Sequence, residues 1–152
     1  MKKRFTQSIA AIGLVVTSLS HAADFGTAEE AKAMLERAAH AMTTDQASAL
    51  KAFNEGTDGF KDRDLYVACF EQGTRELLMT AHGAVADLVG KPATLIVDKV
   101  GTNLGSLLNV DTKGEIASTE YWWPRPGETE PVEKVSYFTT IGDQNCLVGY
   151  YK

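Results

Sequence analysis

The chain has 152 residues, and its 15 lysines and arginines are outweighed by 20 aspartates and glutamates, for a formal net charge of −5. That balance argues against nucleic acid and anionic membrane surfaces as partners, because both reward clustered basic side chains. Two cysteines and three histidines, without Cys-x-x-Cys or metal-ligand spacing, leave no basis for expecting a metal or another cofactor.

Lys2, Lys3 and Arg4 precede an apolar stretch from Ile9 to Leu19, and Ser20-His21-Ala22 comes next with small residues around a cleavage point. This order predicts a secretory signal peptide over residues 1–22, cut between Ala22 and Ala23, and a single domain over residues 23–152. The apolar run is short for a membrane span, and no cysteine comes after it to carry a lipid. After cleavage no membrane anchor is expected, so the protein is expected to be periplasmic or secreted. Taking away the three basic residues of the leader leaves twelve against 20 acidic ones, a net −8.

Helices are expected first. Thr27-Ala-Glu-Glu30 has the capping-box pattern, and Ala31, Met34, Leu35, Ala38 and Met42 continue at helical spacing as one apolar stripe. A second start at Thr43-Thr-Asp-Gln46 carries Ala47, Leu50 and Phe53 to about Asn54, where Glu55-Gly-Thr-Asp-Gly59 breaks the pattern. This region reads as two helices or one bent helix. The period then changes: residues 64–70 and 76–81 form two short apolar runs around Gln72-Gly73-Thr74, a β-hairpin signature. A glycine-rich connection passes through Gly83 and Gly90-Lys-Pro92 to a short helix over residues 103–108. Residues 116–123, 132–141 and 146–151 read as the last three strands. Helices succeeded by strands predict an α+β domain with one mainly antiparallel sheet. Cys69 and Cys146 fall in strands near the two ends of the domain, where export permits a disulfide. Two buried thiols are the alternative.

Both tryptophans stand in Glu120-Tyr-Trp-Trp-Pro-Arg-Pro-Gly127, and the next strand brings Lys134 and Tyr137 near them. Amphipathic rings beside one cation suit recognition of a small anionic or polar molecule. The segment supplies no nucleophile and no proton relay. Gly-x-Ser-x-Gly, His-Glu-x-x-His and phosphate-binding glycine loops are missing from the sequence, so a binding module is expected rather than an enzyme.

Residues 64–67 (Asp-Leu-Tyr-Val), 88–91 (Leu-Val-Gly-Lys), 120–124 (Glu-Tyr-Trp-Trp-Pro), 134–137 (Lys-Val-Ser-Tyr) and 148–151 (Val-Gly-Tyr-Tyr) resemble, in order and spacing, the single Cache domain family. The resemblance spans nearly all of residues 28–152. It implies a PAS-like five-stranded antiparallel sheet with N-terminal helices, holding a small ligand, often a short carboxylate, for extracytoplasmic sensing. The chain departs from that pattern in three places. It stops at Lys152, where relatives continue into a membrane span, which favours a free binding or accessory protein. His82-Gly83 replaces the family's His-Pro, and Cys146 stands where a tryptophan is usual.

Within that frame the ligand-binding candidates are Tyr121, Trp123, Lys134 and Tyr137, with His82 and Tyr66 second. Strand alternation puts Tyr121 and Trp123 on one face, either as a pocket wall or as core. Lys134 is either the cation for a ligand carboxylate or an exposed strand lysine. Three positions separate it from Tyr137, so a regular strand points the two to opposite faces unless a bulge intervenes. His82 is either a ligand donor or a structural loop histidine, and Tyr66 either pocket floor or core. The expected partners are a small organic acid or similar metabolite and a membrane receptor. The alternative function is a non-catalytic interaction or dimerisation module, accessory to such a receptor, that self-associates through its N-terminal helix.

Overall fold

The computed structural model describes residues 24–152, so the predicted signal peptide of residues 1–22 lies outside the described residues. Thr27 opens α1 (Ala28–Thr44) through the predicted reciprocal cap. The Glu30 N–H donates to its hydroxyl at 3.2 Å, and the Thr27 N–H donates to the Glu30 carboxylate at 2.8 Å. Asp45 separates α1 from α2 (Gln46–Glu55): its N–H closes α1 on Ala41, and its carboxylate accepts from the Ser48 N–H at 3.1 Å. The region is thus two helices rather than one bent helix. Gly56, at φ 65°, ends α2 in the left-handed conformation that a residue with a Cβ resists.

The strands are β1 (Lys61–Asp62), β2 (Leu65–Glu71), β3 (Met79–His82), β4 (Ala117–Pro124), β5 (Pro131–Ile141) and β6 (Gln144–Tyr151). Five of them form an antiparallel sheet in the order β3-β2-β6-β5-β4, with β1 pairing beside the start of β2. The last strand therefore lies against the first long one. The second run of the predicted hairpin enters the sheet late, at Met79 rather than Glu76. Leu77 turns with φ 51° and is buried instead of continuing the strand.

Each face of the sheet has its own cover. Ala31, Met34, Leu35, Ala38 and Met42 of α1 pack with α2 against Val67, Cys69, Ala81, Cys146 and Val148. The apolar stripe that makes self-association through α1 attractive is thus consumed inside the domain. The opposite face carries Tyr66, Ala68, Phe70, Phe138 and Leu147. Residues 84–110 lie over it as two 3₁₀ turns and α3 (Leu104–Leu108). This cover is held to the sheet by backbone bonds between Met79 of β3 and residues 90–91, and by side-chain clamps. The buried Asn145 donates to the carbonyls of Leu108 (2.7 Å) and Val110 (3.1 Å), and Asp98 accepts from the Trp122 N–H of β4 at 3.2 Å. Covered on both sides, β2 reads as an unbroken apolar run instead of an alternating one. Among the described residues no helix is long and apolar enough to cross a membrane.

Cys69 and Cys146 face each other across β2 and β6 and are joined by a disulfide, with their Cα atoms 4.1 Å apart. The cross-link closes a separation of 77 residues inside the helix-side core. On a chain-entropy estimate such a loop contributes about 4.5 kcal/mol. Replacing both cysteines by alanine is expected to lower unfolding free energy by about 2–5 kcal/mol, read from the midpoint of urea unfolding.

Candidate functional site

Antiparallel register assembles the site on the covered face. Tyr121 of β4 pairs with Lys134 of β5, which pairs in turn with Tyr151 of β6, so the three form a row across adjacent strands. Tyr66 lies beyond them on β2. Lys134 reaches it by running across β6 at Gly149, whose missing side chain makes the path. A Cβ there would stand 2.5 Å from Lys134 Cε and 2.3 Å from Ser136 Oγ. Only glycine leaves this crossing open.

Lys134 is almost wholly buried, at 1% exposure. It donates to the hydroxyls of Tyr66 (2.9 Å) and Tyr151 (3.3 Å) and lies 4.1 and 4.6 Å from the centres of their rings. The Tyr151 hydroxyl donates its own proton to the Pro124 carbonyl at 2.8 Å. Tyr121 and Ser136 hydrogen-bond through their hydroxyls at 2.8 Å. No carboxylate forms an ion pair with Lys134 among the described residues. Asp64 helps to hold its charge from further off but is itself engaged. It accepts from the Gly26 N–H at 2.7 Å and faces Arg125 Nε at 3.5 Å. Burial accordingly pulls the Lys134 pKa down to about 7.

His82 enters the same face because β3 is irregular. Register shifts between Cys69 and Phe70, so Met79 and His82 both turn toward the cover although three positions separate them. Asn54 at the end of α2 holds this bend: its side chain donates to Thr80 O (3.1 Å) and accepts from the His82 N–H (3.0 Å). The Val85 N–H donates to His82 Nδ1 at 2.9 Å, which leaves the ring proton on Nε2. Burial, and then the charge of Lys134, lower the imidazole pKa to about 3, so the ring is neutral. Its centre lies 4.9 Å from that of Tyr66 and 6.4 Å from that of Trp123. Gly83 replaces the expected proline to good effect, since its N–H donates to Val67 O at 3.0 Å, a bond proline lacks.

These residues bound a cavity of about 40 Å³. Tyr66, His82, Tyr121 and Trp123 form its polar end. Its remaining lining, from β2, β3, β6 and the cover, is apolar, including Ala68, Phe70, Ile96, Leu104 and Leu147. Lys134 does not line it but stands one hydroxyl behind the wall. On a scale where a water needs ~10–15 Å³, the space admits only a small molecule of a few heavy atoms.

The structure thus gathers Tyr66, His82, Tyr121, Trp123 and Lys134 and leaves Tyr137 out. β5 pairs continuously with both neighbours, so no bulge brings Tyr137 round. Its ring stacks on Tyr150 at 6.2 Å against the helix-side core. Sequence reasoning missed Tyr151, Ser136, Gly149, Asp64 and Arg125. Tyr151 and Ser136 become visible only when the register of β4, β5 and β6 is known. Among the described residues no three His, Cys, Asp or Glu side chains converge as a metal site.

No family model and no curated protein matches the chain. Solved structures do. A periplasmic sensor domain of a chemotaxis protein is 24% identical with a TM-score of 0.60, over 81% of this chain and 88% of that one. A Cache chemosensory domain studied for carboxylic acid recognition is 20% identical at 0.59, over 81% and 86%. A methyl-accepting chemotaxis protein from Vibrio parahaemolyticus is 18% identical at 0.64, over the same shares. The chain therefore has the α+β, PAS-like fold of Cache sensor domains, as its sequence predicts.

The buried amine predicts a pH dependence of stability. With a folded pKa near 7 against an ordinary 10.5, Lys134 gives up its proton on folding between those values. The unfolded chain then binds more protons, so this group makes ligand-free stability rise with pH by up to about 1.4 kcal/mol per unit. Urea unfolding between about pH 7.5 and 9.5 is expected to show that slope, and Lys134→Met to remove it.

Proposed function

We propose that this chain is an extracytoplasmic sensor or binding domain, exported by residues 1–22, whose cavity takes a short aliphatic monocarboxylate. The observation that carries this reading is Lys134, a buried amine without a carboxylate partner, set behind the polar end of an otherwise apolar cavity. A bound carboxylate supplies the missing charge. Tyr66 accepts from Lys134, and its own proton, which faces Tyr151, can turn to a carboxylate oxygen. The His82 Nε2–H, the Tyr121 hydroxyl and the Trp123 indole N–H complete a set of donors for two carboxylate oxygens.

The rest of the cavity limits which group the carboxylate can carry. No acidic side chain lines it for an ammonium, and no second cation for another carboxylate. Amino acids and dicarboxylates would each bury an unpaired charge, a larger cost than an alkyl chain gains. The cavity volume favours acids of two to three carbons over longer ones. The fold similarity to a domain that recognises carboxylic acids supports the same reading. The polar groups at the cavity serve binding rather than turnover, since no nucleophile stands there beside a base.

Thermal unfolding of the protein with acetate, propionate, glycine, alanine and succinate tests this. A ligand at 100 times its dissociation constant adds ~2.7 kcal/mol to stability. Acetate or propionate is expected to raise the midpoint with concentration, while glycine, alanine and succinate leave it in place. Tyr66→Phe is expected to weaken propionate binding roughly tenfold, the loss of one charge-assisted hydrogen bond. No shift with either monocarboxylate in a folded protein would sink the reading.

A further inference from the structure

Lys134 is unusual in its surroundings. From β2 it faces the Tyr66 hydroxyl, from β6 that of Tyr151, and from β4 its cross-strand neighbour Tyr121. His82 of β3 lies beyond Tyr66. Asp64 and Arg125, whose charges act on Lys134 and Tyr151, oppose each other at 3.5 Å. The cover contributes only apolar side chains to the cavity, and α1 and α2 lie on the other face of the sheet. Every group in hydrogen-bond or ring contact with the amine is therefore neutral, and the carboxylate that acts on it from further off faces an arginine.

Such a setting fits an uncharged amine in the empty site and a charged one in the occupied site. Building on the monocarboxylate reading, we propose that the site takes its ligand together with a proton: the anion enters, Lys134 is protonated from solvent, and the occupied pocket holds a neutral ion pair. The balance is one carboxylate and one proton bound, with no covalent change. The direction of the Lys134 shift, to about 7, agrees with the geometry. The other candidates for the proton are disfavoured. Burial raises the pKa values of Tyr66 and Tyr121, so both are already protonated, and the imidazole of His82 is held neutral down to about pH 3.

Ligand recognition then changes in two ways. The protein responds to the product of carboxylate and proton concentrations, which is proportional to the concentration of the undissociated acid. A fixed amount of carboxylate therefore occupies less of the protein as its surroundings become more alkaline.

Isothermal titration of the full chain with propionate tests the proposal. Titrations at about pH 8 in phosphate and in Tris buffer, which differ widely in ionisation enthalpy, count the protons taken up. Close to one proton per propionate is expected, with the dissociation constant rising about tenfold per unit between about pH 7.5 and 9. In Lys134→Arg the charge is permanent, so uptake is expected to vanish and the profile to flatten. Should that variant not fold, the proton count and pH profile of the unmodified protein decide alone. Propionate binding with no uptake and a flat profile overturns the proposal and leaves the monocarboxylate reading standing. Uptake that survives Lys134→Arg but disappears in His82→Gln also overturns it, moving the proton to the imidazole. Absence of propionate binding from about pH 5.5 to 9 removes both readings.

Discussion

The functional face of this domain is organised around one costly act, carrying an amine across a β-strand into the interior. Removing an ammonium from water costs several kcal/mol unless charge or hydrogen bonds replace the lost hydration. Two tyrosine hydroxyls, two ring faces and a distant carboxylate offset part of that cost. The remainder is what makes the site responsive. A fully matched lysine would have nothing to gain from an anion, and a solvated one would bind it only weakly. Gly149 is the complement of Lys134: one residue gives up its side chain so that the other can lie flat across β6.

Sheet architecture turns this local arrangement into a pocket. Strand alternation sends one set of side chains to the helices and the other to the cover. The helix side holds the larger apolar cluster and the disulfide, whereas the cover side holds most of the polar hydroxyls and the cavity. The irregular step in β3 breaks that rule once, and it does so where His82 is needed. Asn54 ties the step to the end of α2, so the site's histidine is positioned from the opposite layer. The cover, by contrast, meets the sheet through backbone bonds at Met79 of β3 and polar clamps at Asp98 and Asn145.

Much of this is legible in the amino-acid order, for physical reasons. The capping box at Thr27, the helical stripe through Met42 and the glycine break after α2 are local signals, and each element stands where its residues put it. The Tyr121 and Trp123 face derives from alternation alone. The features that escape such a reading are non-local. Burial of Lys134 depends on Gly149 of the next strand, and its partner Tyr151 on the register of a hairpin. Leu77 reads as strand because its side chain is apolar, yet it is buried from a turn. Tyr137 groups with the site by its closeness to Lys134 in sequence, while uninterrupted pairing of β5 holds it on the other side.

The disulfide and the cavity occupy opposite faces of the same two strands, β2 and β6. One sheet thickness separates them, and the disulfide and the cavity lining belong to different side-chain clusters. Two perturbations arranged in this way are expected to add almost independently in free energy, in the manner of distant sites with no common partner. Oxidation state would then set how long the scaffold survives, and occupancy how often it responds, as two separately adjustable quantities. A lineage of such domains could exchange its covalent staple for another core solution, a large ring for instance, without retuning what the cavity recognises.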